Sequence, residues 1–472
     1  MSTFSYDVVV IGGGPGGYVA AIRASQLGGK VALVEAAQLG GTCTNWGCIP
    51  TKALLRSVEC LVEARRAKEF GVILGSISFS LDAIVRRKDE IVSRVRDGIK
   101  YLLDSYGVTL IQGRGRLKTQ TKVSVDRPDG SKLELEGRAI IVATGSKNRL
   151  LPIPGLNEVD VMTNEHEGLS PKKVPESLLI IGGGPEGVEF ATIYSNLGSK
   201  VTLVEMMPTI LPFEDEEMGT RLSKILTSSG VTVYTKSVVK EVRRKDGYID
   251  VCISTDGSES RVLVEKILVA AGHVPNVEDL GLEDIGVTYT EKGISVNERM
   301  ETSVKGVYAV GDVVTVSLAH VAFEQGIVAA ENAMGLNSVY DSRVVPRCIY
   351  TMPEVAAVGL TTQQAREQKI EFITGRFPFT ASGRALTLGD TEGMVKVLAE
   401  KDSKRIIGVH IIGPRASDLI PEAALAMKMG ATIYDLAKTM HPHPTLSEAL
   451  KEAALDAIGE AIHLGKKIRR VG

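Results

Sequence analysis

Apolar residues along this chain gather in short runs that end at glycines, a rhythm that predicts buried strands alternating with helices. The first run, Tyr6 to Ile11, holds Val8, Val9, Val10 and Ile11 in succession, as a strand covered on both faces does. Gly12-Gly13-Gly14-Pro15-Gly16-Gly17 follows and opens a predicted helix to about Leu27. A second apolar run, Lys30 to Val34, ends in Glu35. The unit then recurs. Leu178 to Ile181 is a strand, Gly182-Gly183-Gly184-Pro185-Glu186-Gly187 the turn, and Lys200 to Val204 a strand ending in Glu205. In both copies the acid lies 18 residues after the last glycine.

Each copy has the strand–G-x-G-x-x-G–helix–strand–acid order of a dinucleotide-binding unit. Glycines let the backbone approach a pyrophosphate at the helix N-terminus, and the acid accepts hydrogen bonds from a ribose. The spacing therefore predicts two dinucleotide sites, built on Gly12, Gly14, Gly17 and Glu35, and on Gly182, Gly184, Gly187 and Glu205. A carboxylate at Glu205 pairs with a free 2′-hydroxyl and repels a 2′-phosphate, which predicts NAD over NADP at the second site.

Further strands are predicted at Val108 to Gln112, Thr121 to Val125 and Arg138 to Val142, the last running into Ala143-Thr144-Gly145-Ser146. The proline-punctuated Leu151 to Gly155 reads as a linker. Strands follow at Gly230 to Tyr234 and Ile249 to Ile253. Ile267 to Gly272 repeats the apolar-run-into-glycine theme, and Gly306 to Asp312 is a strand entering a polar loop. Asp312 either orients a cofactor hydroxyl or caps the next helix. From about residue 348 the character changes: strands at Gly393 to Leu398 and Arg405 to Ile412 and helices at Ser417 to Met429 and Ile433 to Ala437 carry no dinucleotide motif.

Composition narrows the class. With 472 residues, 49 glycines, 44% hydrophobic and 5% aromatic residues, the chain reads as an aliphatic α/β enzyme of about three domains. The formal net charge is −2 and no long basic run appears before the short Lys466 to Arg470 tail, which argues against nucleic acid. The start, Met1 to Ser5, reads as running straight into a strand without a signal segment, and no apolar run reaches membrane-span length. The expectation is a reducing, cytoplasmic setting in which five cysteines form no structural framework.

The most reactive chemistry lies in Gly40 to Lys52, where Cys43 and Cys48 bracket Thr44-Asn45-Trp46-Gly47. A helical pattern follows, with Leu54, Leu55, Val58, Leu61 and Val62 on one face. A helix start favours a thiolate, and Lys52 adds positive charge. A redox dithiol and two structural thiols are both open readings; half a zinc site lacks further ligands nearby. Near the end, His441-Pro442-His443-Pro444-Thr445-Leu446-Ser447-Glu448 precedes a helix. Thr445 and Glu448 fit a capping box, whereas a stiffly held His443 with Glu448 beside it suits proton transfer.

Together these motifs, in this order over the whole length, resemble the pyridine nucleotide–disulfide oxidoreductase family. They are Gly-Gly-Thr-Cys-x4-Cys-Ile-Pro-x-Lys at 41–52, the doubled glycine turn, Ala143 to Ser146, Tyr308 to Asp312 and His443 to Glu448. The resemblance implies two Rossmann-like domains, for FAD and NAD, and a C-terminal α+β dimerisation domain. Its expected boundaries are an FAD domain at 1–150, an NAD domain at 151–278, a segment completing the FAD domain at 279–347, and an interface domain at 348–472.

By resemblance, FAD rests on the first repeat, with Thr42, Cys43, Lys52, Gly115, Thr144, Gly145, Ser146, Asp312, Leu318, Ala319 and His320 completing its site. NAD rests on the second, with Glu189, Val238 and Gly272 added. Cys48 would exchange with the substrate, Cys43 would contact the flavin, Lys52 and Glu189 would pair, and His443 with Glu448 would come from the partner of a homodimer. The implied reaction oxidises dihydrolipoyl groups on proteins of 2-oxo acid dehydrogenase or glycine cleavage complexes, with hydride passing to NAD. A glutathione-reductase-like activity is opposed by Glu205, and a purely docking role by the intact Cys43, Cys48, His443 and Glu448 set. Trp46, Pro185 with Glu186, and His273 depart from the family pattern and bear on NAD affinity and product inhibition.

Overall fold

A computed structural model describes residues 3–316 and 318–465; the basic tail at 466–470 lies outside them. The run at Tyr6 becomes the strand Thr3–Ile11, fully covered from Val8 onward. It pairs in parallel with Val31–Glu35 on one side and Lys132–Val142 on the other. Thr109–Gln112 extends one edge, and Val307–Ala309 pairs with Lys132–Val142 after a long excursion of the chain. The antiparallel strands Lys122–Asp126 and Arg114–Leu117 complete the sheet. Helices Pro15–Gln26 and Ala319–Ala333 pack on it through Ala20, Ala21, Ala24, Val328, Ala329 and Ala330. Those small side chains permit the close approach that a glycine turn requires.

The second repeat builds a separate parallel sheet, ordered Thr232–Tyr234, Lys200–Val204, Ser177–Ile181, Lys266–Val269 and Val161–Met162. Its edge strand starts two residues later than the pattern predicts, because Gly230 takes a left-handed turn. An antiparallel trio, Ser237–Lys245, Tyr248–Thr255 and Ser258–Val264, stands beside it. The two units are tied where Ser146–Asn148 pairs with His273–Pro275.

Residues beyond 345 fold on a five-stranded antiparallel sheet, Arg347–Ile349, Glu354–Gly359, Ile406–Gly413, Met394–Glu400 and Phe372–Pro378. Helices Ala416–Lys428 and Glu448–Ile458 cover one face through Ile420, Ala423, Ala449, Leu450, Ala453 and Ala454. No helix among the described residues is long and apolar enough to cross a membrane.

One helix joins these parts. Cys48–Arg66 begins at the second cysteine; of its predicted face Leu54, Leu55, Val58 and Leu61 are buried and Val62 is half-buried. That face packs against Val188, Ala191 and Tyr194 of helix Pro185–Leu197 in the second repeat. The cysteine pair is thereby fixed to both dinucleotide units.

Candidate active site

The glycine turns are near copies. A methyl group on Gly17 would overlap the carbonyl oxygen of Gly12, and one on Gly187 that of Gly182. These glycines pack helix onto strand and do not line the cleft. Gly14 and Gly184 are different: a methyl group on Gly184 would meet nothing within 4 Å, and one on Gly14 only Gly41 Cα at 3.7 Å. Each caps its helix N-terminus from an extended conformation, with proline at the first helical position. An open backbone approach at a helix N-terminus is the cradle a pyrophosphate fills, so both turns fit a dinucleotide.

The terminal acids also match. Glu35 accepts from the backbone N–H of Gly13 and of Ala37, both at 2.6 Å. Glu205 accepts from Gly183 and Met207, both at 2.7 Å. Each buried carboxylate thus braces its own glycine turn, and each oxygen keeps a lone pair for a ribose hydroxyl. Burial pushes the Glu35 carboxyl up against the opposing pull of those backbone donors.

A single continuous cleft of about 2160 Å³ runs past both turns. It is lined by Gly12, Gly14, Glu35, Thr42, Cys43, Cys48, Lys52 and Gly115 from the first unit, and by Gly182, Gly184, Glu189, Glu205, Val238 and Gly272 from the second. Thr144, Gly145, Ser146, Asp312, Leu318, Ala319 and His320 line it as well. Asp312 sits in the 3-10 turn Gly311–Val313 and accepts from Ser146 Oγ at 2.7 Å; the next helix is capped at Leu318, so the capping alternative for Asp312 falls away.

At the middle of the cleft Gly40 and Gly41 take left-handed conformations that turn the chain into the short helix Gly41–Asn45. Asn45 Nδ2 donates to Leu39 and Gly41 carbonyls at 2.9 and 3.0 Å and holds the loop shut. Cys43 and Cys48, present as thiols, are hydrogen-bonded to each other. The Cys43 hydrogen bond draws the Cys48 thiol down to about 7 against its burial, and Lys52 assists. Cys43 is pushed up correspondingly, because it holds the shared proton, and burial adds to the rise. Of the two sulfurs, Cys48 is therefore the one that ionises first, at the first residue of a helix, where the dipole favours a thiolate.

Lys52 Nζ donates to both Glu189 oxygens at 2.9 and 2.8 Å, across 137 residues of sequence. Glu189 is 4% exposed and also accepts from the Tyr350 N–H at 2.9 Å. The ammonium stands 4.7 Å from the Tyr350 ring centroid, a cation–π contact. Burial alone would lower Lys52, but the attraction of Glu189 outweighs it and keeps the lysine charged. Tyr350 is a site residue that sequence reasoning missed; it lies in an ordinary apolar run and only the fold brings it to Lys52.

His443 and Glu448 do not line this cleft. The His443 side chain is 79% exposed, with Nδ1 at 2.9 Å from Glu448 Oε1, while Glu448 Oε2 accepts from the Thr445 N–H at 2.9 Å. The predicted capping box is only half formed: the Thr445 hydroxyl bonds Pro442 and Ser447 instead, and the helix cap is Ser447. One carboxylate therefore serves both readings, an oxygen for each.

Comparison with known proteins agrees with this geometry. The model of the pyridine nucleotide–disulphide oxidoreductases matches residues 6–326, and that of the family's dimerisation domain matches 345–454. A protein named dihydrolipoyl dehydrogenase from Thermus scotoductus is 44% identical over 98% of this chain and 99% of its own. One of the same name from Bacillus subtilis is 42% identical over 97% and 99%. Among solved structures, LpdA from Mycobacterium tuberculosis superposes with a TM-score of 0.87 at 30% identity, covering 96% of this chain and 99% of that one. With a matched glycine–acid unit on each side of a dithiol, the chain belongs to the pyridine nucleotide–disulphide oxidoreductase family, oxidoreductases that work with FAD and NAD.

Proposed function

We propose that this protein is a dihydrolipoyl dehydrogenase: it oxidises the dithiol of protein-borne dihydrolipoyl groups and delivers the electrons to NAD. The observation that carries the reading is the Cys43–Cys48 pair at a helix start, in the one cleft that both glycine turns share. FAD would rest on Gly12, Gly14 and Glu35, with Thr42, Cys43, Lys52, Gly115, Thr144, Gly145, Ser146, Asp312 and the 318–320 turn around it, while Gly17, expected in the site, seats the helix on its strand behind the cleft. NAD would rest on Gly182, Gly184, Glu189 and Glu205, near Val238 and Gly272, with Gly187 likewise behind the cleft, packing its helix onto the strand. The domain division 1–150, 151–278, 279–347 and 348–472 goes with this assignment.

The residues have separable tasks. His443, with Nδ1 held by the Glu448 carboxylate, offers Nε2 to take a proton from the substrate dithiol. Burial would raise Glu448, but the Thr445 N–H and His443 hold it below its usual range, so it stays an anion that orients the ring. The substrate thiolate attacks Cys48 of the oxidised pair, the Cys43–Cys48 bond breaks, and Cys43 leaves as thiolate. The second substrate sulfur then displaces Cys48, so that the substrate gives up two electrons and closes as a cyclic disulfide while the protein keeps them as a dithiol. FAD, when bound, couples this two-electron thiol chemistry to hydride transfer. Lys52, pinned by Glu189, supplies fixed positive charge beside Cys48.

The exposure of His443 away from the cleft supports a homodimer in which each chain lends His443 and Glu448 to its partner. Lipoyl-bearing proteins of 2-oxo acid dehydrogenase or glycine cleavage complexes are the proposed substrates, in a cytoplasmic setting. The test assays the purified protein with dihydrolipoamide plus NAD and, separately, with glutathione disulfide plus NADPH. Turnover in the first alone is expected; turnover in the second alone overturns the reading, and turnover in neither, with tight binding to a lipoyl-bearing complex, favours a docking role.

A further inference from the structure

Three buried polar atoms on the second-repeat side of the cleft have no hydrogen-bond partner among the described residues: Oε1 of Glu186, Nε2 of His273 and Oδ1 of Asn164. All three residues line the cleft. Unpaired buried polar atoms are costly, and three of them from separate segments lining one cleft mark it as a place where a polar ligand supplies the missing partners.

Glu186 occupies the first turn of helix Pro185–Leu197, one turn before Glu189, and so shares a helix face with it. It stands between the open Gly184 cradle and the Lys52–Glu189 pair beside the thiols. A dinucleotide whose pyrophosphate lies at Gly184 and whose adenosine end reaches Glu205 extends its other end past Glu186. We infer that Glu186 is a charge-selective element of the nicotinamide site, a carboxylate that favours the cationic ring of NAD+ over the neutral ring of NADH and thereby limits product inhibition. This rests on the assignment of the second repeat to NAD.

The surroundings leave that carboxylate uncompensated. Lys52, the nearest cation, is engaged by both oxygens of Glu189. Glu165, from the neighbouring loop, is a further anion, and burial holds His273 below its ordinary range against the pull of Asp312 and Glu165, which weakens it as a counter-charge. Burial pushes the Glu186 carboxyl up to about 7, with Glu189 and Glu165 adding to the rise and Lys52 opposing it. About a tenth of the molecules then carry the charge at pH 6 and about nine-tenths at pH 8. The selectivity is therefore a function of pH across the neutral range, stronger on the alkaline side.

The test uses the FAD-loaded, oxidised enzyme and two ligands that do not turn over on it, NAD+ and 1,4,5,6-tetrahydro-NAD, whose ring is neutral and gives no hydride. Dissociation constants are measured by calorimetry at pH 6 and pH 8 for the wild type and for Glu186→Gln. In the wild type the ratio of the tetrahydro-NAD constant to the NAD+ constant should rise at least threefold between the two pH values, on the order expected for a group that ionises between them. In E186Q it should be flat and lower than the wild-type value at pH 8. Near pH 7 the wild type should release a fraction of a proton on binding NAD+, and the variant none. A wild-type ratio that does not change with pH, or a variant that keeps the wild-type dependence, overturns the inference while leaving the NAD site in place. Failure of the wild type to bind either ligand overturns the NAD assignment itself, and the inference with it.

Discussion

Replacing Lys52 by methionine should make the Cys48 thiol harder to ionise, and the size of the change can be worked from the helix. Cys48 and Lys52 are four residues apart on Cys48–Arg66, so their Cβ atoms lie about 5–6 Å apart and their charged groups about 7 Å. At an effective dielectric near 20 a unit charge at that distance contributes about 2.4 kcal/mol. The lysine side chain is 33% exposed, so solvent screening roughly halves this, to about 1.2 kcal/mol or about 0.9 pH unit. Lys52→Met also strips Glu189 of its counter-charge, and Glu189 itself pushes Cys48 upward. The thiol should move from about 7 upward by about one to two units. Glu189→Gln should move it the other way. The assay is the pH dependence of iodoacetamide alkylation on the reduced protein, read at Cys48 by peptide mass because Cys60 is exposed and also reacts. An unchanged or lowered midpoint in Lys52→Met, or both variants shifting in one direction, would refute the electrostatic argument.

Three further outcomes are expected. Gly184→Ala should melt at the wild-type temperature yet bind NAD at least about tenfold more weakly, because its methyl fills only the cradle, whereas Gly187→Ala should lose about 3 kcal/mol or more in urea unfolding through its clash with Gly182. His443→Gln should slow reaction with dihydrolipoamide at least about 100-fold and leave NADH-dependent reduction of an artificial acceptor intact, which steady-state kinetics with both substrates separates. Lys396→Met should cost about 3–5 kcal/mol by urea titration, since it leaves Asp215, 1% exposed and bonded to Lys396 at 2.7 Å, buried without that partner. For Asp215, burial, which would raise it, is outweighed by His410, Lys396 and Thr362, so its folded-state value lies below the ordinary one. Its contribution is therefore complete above the ordinary carboxylate range and fades as pH falls below about 4, a fade the variant should show in weaker form because only His410 and Thr362 remain to hold the carboxylate.

What the sequence disclosed and what it concealed divide along a physical line. Gly12 to Glu35 and Gly182 to Glu205 were legible because a dinucleotide cradle is local chemistry, completed within one strand, turn and strand. Cys43, Cys48 and the helix after them were legible for the same reason. The helix Leu81–Ser105 was not anticipated although its pattern is legible: Ser80 caps it, and Leu81, Ile84, Val92, Val95, Ile99 and Leu103 recur at helical spacing among charged residues. Of the antiparallel trio only Tyr248–Thr255 showed an apolar run; Ser237–Lys245 and Ser258–Val264 each turn one charged side to solvent. Tyr350 on Glu189 and Lys52, and Arg347 on Glu214 at 2.7 Å, join segments more than 130 residues apart, and no local pattern encodes them. Glu448 shows the reverse case, where a capping motif and the motif proposed for proton transfer overlap in sequence, and one carboxylate oxygen meets the Thr445 N–H while the other meets His443.

The most direct measurement mixes the purified protein anaerobically with dihydrolipoamide and NAD and follows NADH absorbance, for the wild type and for Cys48→Ser. The account predicts a yellow protein that forms NADH in step with dithiol consumed, and a variant that keeps its FAD but forms none. NADH formation at the wild-type rate in Cys48→Ser, or a wild-type protein that retains no flavin, would contradict it.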